Sequence, residues 1–170
     1  GFGPALNRAV AAHPPDAVIL LNNHAEPEPR FVEALPDGLG PVVDWVDGVL
    51  RQERAPELID SAGVVADATL MGFDYLHGEP VEAGADAAAP LGPTGGAALY
   101  RREAFEAVGG FDERIFLYYE DLDLALRMAA AGASCRLAPE ARALHSYSAS
   151  LGAGAAAAYG PPAARPGDHP

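Results

Sequence analysis

Gly109-Gly110-Phe111-Asp112-Glu113, followed by Phe116-Leu117-Tyr118-Tyr119-Glu120-Asp121-Leu122-Asp123-Leu124 and then Arg127, is the densest pattern in this chain of 170 residues. Five carboxylates fall within a dozen positions. A run of that kind is ordinarily a solvated face, but here aromatic and aliphatic residues interleave with the acids and put some of them at a border between core and cleft. From Glu120 to Ala131 the spacing predicts a helix. Leu122, Leu126 and Ala129 share one face, the alanines favour helix, and Gly132 ends it. Asp123 and Arg127, four apart, read as a structural ion pair. Glu120 and Asp121 stand in the first turn, where core packing needs neither and both can project into a cleft. Either can be a general base, and helix capping is the competing explanation. The helix dipole lowers a carboxylate pKa there, while an apolar setting and a second acid raise it, and the sequence leaves the balance open.

Working outward, Thr94-Gly95-Gly96 leads into a strand over Ala97 to Tyr100, and Arg101 to Val108 reads as a helix closed by Gly109. Ala17-Val18-Ile19-Leu20-Leu21 is a continuous apolar run, which predicts a strand buried on both faces. It stops at Asn22-Asn23-His24. In open α/β sheets ligands bind beyond the carboxyl ends of strands, where this tripeptide would lie. Pro4 to about Ala12 reads as a short helix carrying Asn7, stopped by Pro14-Pro15. A second short helix is expected around Phe31 to Leu35, closed by Asp37-Gly38, with an extended region starting at Val42-Val43 and Trp45-Val46. Arg51 to Pro93 reads as irregular strands and a mobile loop, and Cys135–Leu137 and Ala143–His145 as two short strands. The tail, 151–170, is alanine, glycine and proline with no face to bury, so disorder is expected there and one domain over 1–150.

Composition narrows the function classes. A formal charge of −13, from 24 acidic and 11 basic residues, argues against a nucleic-acid partner. A phosphate ligand would need local help from a divalent cation, a helix N-terminus or a few placed arginines. No stretch approaches the roughly 18 apolar residues of a membrane span. The lone Cys135 provides neither an internal disulfide nor a zinc cluster, which suits a reducing cytoplasm. The opening Gly1-Phe2-Gly3-Pro4 has no initiator Met and no signal-peptide pattern, so a truncated or excised piece is expected.

Together, Gly-Gly-Phe-Asp-Glu, the aromatic pair, Glu-Asp-x-Asp-Leu, Arg127, Ala130-Ala131-Gly132, Pro139-Glu140-Ala141 and His145 resemble the C-terminal half of family 2 glycosyltransferases, including bacterial rhamnosyltransferase-like members. Upstream, Asn7, Leu20-Leu21-Asn22-Asn23-His24, and Thr94-Gly95-Gly96-Ala97 with Arg101-Arg102 are similar to the family's earlier motifs. The resemblance covers Gly1 to about Ser150. It implies a GT-A fold, a Rossmann-like, mainly parallel sheet flanked by helices, and inverting transfer of a sugar from a nucleotide diphosphate to the hydroxyl of a glycan or lipid-linked acceptor in cell-envelope polysaccharide synthesis. Asp121 would be the catalytic base. Asp112, Glu120, Gly95 and Gly96 would lie on the acceptor side; Asn7, Asn22, Asn23 and Arg127 on the donor side. His24 and His145 would bind Mg²⁺ or Mn²⁺. Relatives carry an Asp-x-Asp motif where this chain has Asn22-Asn23-His24, so affinity, above all for Mg²⁺, should be weakened. The implied location is the cytoplasm or the inner face of the membrane.

Two other readings compete. One is a noncatalytic remnant that keeps the scaffold and has lost the metal chemistry; the other is a hydrolase built on two carboxylates, which the Gly-Gly-Phe-Asp-Glu context disfavours. On the family pattern the first strand, the next helix and the base-gripping strand end are missing. The 170-residue chain is therefore expected to bind nucleotide sugars feebly, and calorimetry showing micromolar binding would contradict this.

Overall fold

A computed structural model describes residues 2–12, 16–116 and 118–146. The expected tail at 151–170 lies outside the described residues. In chain order the elements are α1 (Phe2–Ala12), β1 (Ala17–Leu21), β2 (Ala25–Pro27), α2 (Phe31–Gly38), β3 (Trp45–Gln52), β4 (Ala55–Ser61), β5 (Val64–Ala66), β6 (Gly72–Asp74), a 3-10 turn (Val81–Asp86), β7 (Ala97–Arg101), α3 (Arg102–Ala107), α4 (Glu120–Ala130) and β8 (Cys135–His145). The main sheet has the order β1-β7-β3-β8-β2, with β4 paired to β3, and β5-β6 form a separate hairpin. Strands β1, β3 and β8 run in one direction, and β7 runs against them between β1 and β3. The β3–β8 ladder is therefore parallel and the other named ladders of this sheet are antiparallel, although three of the four central strands point the same way.

Strand β3 is the axis. Trp45, Val46, Asp47, Gly48, Val49 and Leu50 are all buried, as a strand with both faces covered requires. Side chains alternate between faces. Trp45, with Ala98 and Tyr100 of β7, joins Leu20, Phe105, Phe111, Leu122, Leu124, Ala125 and Met128 in one core. Val46, Leu50, Ala97 and Leu99 point to the other face and pack with Phe31, Leu35, Ala141 and Ala143. Trp45, Tyr100, Phe105 and Phe111 form a chain of edge-to-face rings with centroids 5.6 to 6.0 Å apart, each contact worth about 0.5–1.5 kcal/mol beyond burial.

The expectation that β1 would be covered on both faces fails. Val18 and Leu20 lie against the aromatic core, but Ile19 and Leu21 are each 38% exposed. The cause is position: β1 is the last strand of the sheet, and α2 packs over β3, β7 and β8. The inward face of α4 also differs from the expected one. Leu122, Leu124, Ala125 and Met128 are buried, while Leu126 is half-buried and Ala129 is exposed. The helix is rolled so that Leu124 and Met128 reach under β3. Cys135 to His145 form one long strand rather than two, with a register shift between Asp47 and Val49 that accommodates Pro139. Arg51 to Pro93, expected as irregular strands and a mobile loop, carries β4, β5, β6 and the 3-10 turn, and its Val81 joins Val49, Ile59 and Leu137 in a third core cluster.

Gly48 marks where three strands come closest. A Cβ there would lie 2.7 Å from the Ala141 carbonyl oxygen and 3.2 Å from that of Ala97. Both are backbone atoms of strands on either side of β3 and cannot swing away. Gly48→Ala is expected to lower stability by about 1–3 kcal/mol, as overpacking does; a urea titration showing an unchanged midpoint would contradict this.

Candidate active site

Helix α4 starts from a strained lead-in. Tyr118 and Tyr119 are both left-handed, with φ of 63° and 65°, a conformation costing about 1–2 kcal/mol per non-glycine residue. This double turn redirects the chain from the Gly109-Gly110 loop so that Glu120 and Asp121 open the helix against β7's approach. Gly110 is left-handed too, and a Cβ on it would lie 2.6 Å from Asn7 Oδ1. Asn7 faces this loop. Its Nδ2 donates to the Phe111 carbonyl at 2.8 Å, and its Oδ1 accepts the Phe111 amide at 3.0 Å.

The Thr94-Gly95-Gly96 turn ties the site together. The Gly95 amide donates to Asp121 Oδ2 at 3.1 Å, while the Gly96 carbonyl accepts the Asn22 amide at 2.9 Å. Three motifs separated along the chain thus meet: the strand end at Asn22, the glycine turn and the acidic helix start. Asp121 Oδ1 accepts the Leu122 amide at 2.8 Å, one of the first-turn donors that a helix leaves unpaired. Burial outweighs these hydrogen bonds and raises the Asp121 pKa. Glu120 is likewise raised, first by burial and then by the charge of Asp121, and its Oε2 is buried with no hydrogen-bond partner among the described residues. The contest that sequence left open, dipole against desolvation, is won by desolvation.

Asp47 and Asp74 both feel the charge of Asp121. Asp47, in the middle of β3, is fully buried; its Oδ1 accepts the Thr94 amide at 3.1 Å, and its Oδ2 has no partner among the described residues. Burial pushes its pKa well up, with the charges of Asp121 and Asp74 adding to the effect. Asp74 on β6 is raised by burial and by Asp60 and Asp121, against the opposing effects of the Ser61 hydroxyl and His77. Sequence reading passed over Asp47, Asp60 and Asp74. The signal was present for Asp47, a lone acid inside an apolar strand; Asp60 and Asp74 lay in a segment whose strands carry no clear period.

The remaining expected site residues divide. Asn22 Oδ1 accepts the His24 amide at 2.9 Å in a side-chain turn, and Asn23 is exposed beside it. The backbones at His24 and His145 are neighbours: Ala25 pairs with His145 across β2 and β8, and the Ser146 amide donates to the His24 carbonyl. His145 Nδ1 lies 2.7 Å from Asp60 Oδ2, and a carboxylate on one ring nitrogen is the usual support of a metal-ligating imidazole. Among the described residues no three His, Cys, Asp or Glu side chains converge as a metal-binding group. Arg127 is bound up in the fold: Nε and Nη2 donate to Asp123 Oδ2 at 2.9 and 2.7 Å, and Nη1 to the Val108 carbonyl at 2.7 Å. Asp112 is held by Arg114 at 2.6 Å, which with the Arg114 amide brings its pKa down to about 2. Gly96 is where β7 meets Leu50, whose Cδ1 would lie 2.6 Å from an added Cβ. A cleft of about 250 Å³ between α1 and α3 is lined by Asn7, Val10, Phe105 and Gly110, among others, and none of Glu120, Asp121, His24 or His145 reaches it.

The fold and this arrangement define a glycosyltransferase scaffold, and the comparisons agree. Residues 63–156 match the glycosyl transferase family group 2, and the chain belongs to that family. It is 32% identical to an N-acetylglucosaminyl-diphospho-decaprenol L-rhamnosyltransferase of Mycobacterium tuberculosis, over 89% of this chain and 57% of that protein. It is 29% identical to the O-antigen biosynthesis protein RfbC of Myxococcus xanthus, over 86% of this chain and 12% of that one. The chain thus spans little more than half the length of the first relative. Among solved structures it is similar to GalNAc-T7 with UDP, GalNAc and Mn²⁺, at TM-score 0.60 and 16% identity over 84% of this chain and 30% of that one. The mannosyltransferase PcManGT of Pyrobaculum calidifontis, in complex with GDP-Man and Mn²⁺, gives TM-score 0.56 and 20% identity over 85% and 36%. These likenesses show the GT-A fold.

The raised carboxyls carry a pH signature. A group whose folded pKa exceeds its unfolded value binds its proton more tightly in the native state, so its contribution to stability is full at low pH and is lost as pH rises through the folded value. For Asp47, Asp74 and Asp121 the direction is upward, so stability is expected to fall as pH climbs beyond the ordinary aspartate range. Denaturant titrations at a series of pH values check this; stability that is flat or rising from pH 5 to 8 would contradict it.

Proposed function

We propose that this chain carries the catalytic and acceptor side of a glycosyltransferase that moves a sugar from a nucleoside diphosphate to an acceptor hydroxyl with inversion. The observation that supports it most is the Gly95 amide on Asp121 Oδ2, which fixes one half-buried carboxylate between the glycine turn and the strand end at Asn22. In this reading Asp121 takes the proton from the acceptor hydroxyl as the acceptor oxygen attacks the anomeric carbon. The bond from that carbon to the diphosphate oxygen breaks, and its electron pair leaves with the nucleoside diphosphate. Burial suits the task, since a base whose pKa lies above the ordinary carboxylate range holds a proton better once it has one. Glu120, alongside, orients the acceptor.

The donor would enter over Asn22 and Asn23, with His24 and His145 as the chain's ligands to a divalent cation, Mn²⁺ suiting imidazole better than Mg²⁺. Such a cation neutralises the departing diphosphate. Arg127 and Asn7 act by holding α4 and the Gly110–Phe111 loop in place. On the acceptor side, Tyr119 Oη lies 3.0 Å from Met71 Sδ, and Leu70, Met71, Tyr118 and Tyr119 are exposed at one rim. An apolar rim beside a half-buried base favours an acceptor with an apolar part, in line with the diphospho-decaprenol acceptor in the mycobacterial relative's name. No helix among the described residues is long and apolar enough to cross a membrane, and we place the protein at the inner membrane face, with the transferase domain over 1–150.

Asp121→Asn is expected to cut transfer by about 10²- to 10⁴-fold, the usual worth of a general base. Its thermal midpoint at neutral pH should not drop, because the change removes a costly buried charge. Near-normal transfer by the folded variant would sink this assignment and favour the reading of a noncatalytic remnant.

A further inference from the structure

Asp47 has no part in the reaction as derived above. It is an ionisable side chain in the middle of an apolar strand, fully buried, with Trp45, Val46, Val49 and Leu50 of the same strand buried around it. A carboxyl there costs several kcal/mol in solvation unless it is neutral or fully paired, and an apolar residue of similar size would serve the core better. Among the described residues only one of its oxygens is paired. What that oxygen holds is informative. Asp47 Oδ1 accepts the Thr94 amide at 3.1 Å, and Asp121 Oδ2 accepts the next amide along, that of Gly95, also at 3.1 Å. Two carboxyls from different elements, β3 and α4, thus grip consecutive peptide N–H groups of one short turn.

We propose that Asp47 is a positioning residue for the Asp121 base: it anchors the Thr94 amide and thereby presents the Gly95 amide to Asp121. The proposal rests on the glycosyltransferase reading of Asp121 and adds to it a residue in the layer beneath. Beyond these two carboxyls the turn is held by the Asn22 amide on its Gly96 carbonyl. Gly95 has no side chain, and an added Cβ there would meet only ordinary contacts, at 3.5 Å from Phe2 and 3.7 Å from Asp121. Without the Asp47 anchor the Thr94–Gly95 peptides are free to rotate and the Gly95 N–H leaves Asp121. The titratable groups that act on Asp47 or feel its charge are Asp121 from α4, Asp74 from β6, Tyr100 from β7 and Cys135 from β8. Burial pushes the Tyr100 hydroxyl and the Cys135 thiol up, so both are neutral near pH 7 and neither offers Asp47 a countercharge. Burial raises both acids, Asp47 the further of the two, and the charge of Asp121 adds to the effect on Asp47.

The test pairs Asp47→Leu, which removes the acceptor oxygen, with Asp47→Asn, which keeps it. In the leucine variant kcat is expected to fall about 10- to 100-fold, the scale of a small misplacement of a reacting group, with donor KM within about two-fold. The acid limb of the kcat profile should move to higher pH, because the Gly95 hydrogen bond that lowers the Asp121 pKa is lost. Asp47→Asn should restore kcat and the limb to within about two-fold of the unsubstituted protein. Should the leucine variant not fold, Asp47→Ser, whose hydroxyl stops short of the Thr94 amide, replaces it. A readout independent of sugar transfer accompanies these: NMR of the 170-residue chain, following the Thr94 and Gly95 amides and the Asp121 carboxyl. Faster exchange at both amides and a higher Asp121 midpoint in the leucine or serine variant support the proposal. A folded variant with amide exchange, Asp121 midpoint and pH limb unchanged overturns it, even if its melting temperature falls. If no variant and no unsubstituted protein transfers sugar, the reading of the function fails, while the NMR arm still decides whether Asp47 positions Asp121.

Discussion

The hydrogen bond from the Gly95 amide to Asp121 Oδ2 is the constraint on which the rest of the site depends. Asp121 belongs to a helix and Gly95 to a turn between strands, and nothing in the chain's local preferences brings them together. They meet because β7 runs between β1 and β3, so that the turn leading into it passes over the carboxyl end of β1. The same turn hands its Gly96 carbonyl to Asn22. One peptide segment thereby sets the distance between the strand end, where a diphosphate would sit, and the carboxylate that would receive a proton.

The geometry persists because its supports are packed, not merely hydrogen-bonded. The ring chain from Trp45 through Tyr100 and Phe105 to Phe111 runs beneath the turn, and Leu122, Leu124 and Met128 press α4 onto it. Arg127 adds a clasp between α4 and the end of α3 through the Val108 carbonyl. Asn7 reads the Phe111 backbone in both directions, as a neighbouring strand would. Polar residues that looked like ligand contacts thus serve the loop and the helix, which in turn aim Glu120 and Asp121.

Much of this was legible in the sequence, for reasons that can be named. The apolar runs at Ala17–Leu21 and from Trp45, the glycine stops at Gly109 and Gly132, and the helix from Glu120 carry strong local signals, and the observed elements follow them closely. The dense motif around Glu120 and Asp121 marked the helix start that the glycine turn meets. The sequence did not show which groups are buried, because burial depends on neighbours far along the chain. Asp47 looks like any strand-interrupting acid until its ladder partners Ala98 and Leu137 are known. Arg127 and Asn7 carry the residue types of a donor site, yet tertiary contacts engage them elsewhere. Ile19 and Leu21 read as core because a continuous apolar run does not reveal that its strand lies at the sheet's edge.

The parallel ladder between β3 and β8 joins Trp45 to Cys135 and Gln52 to His145, residues ninety or more positions apart. Closing so long a loop demands entropy early and returns contacts late, so folding of this domain should be slow and governed by topology rather than by its helices. Every piece of the acidic site lies inside that loop: β3 opens it, the glycine turn and α4 sit within it, and β8 seals it. A chain caught before the last strand docks would have helices and hairpins but no assembled acid pocket, which ties the birth of chemistry to the final step of folding.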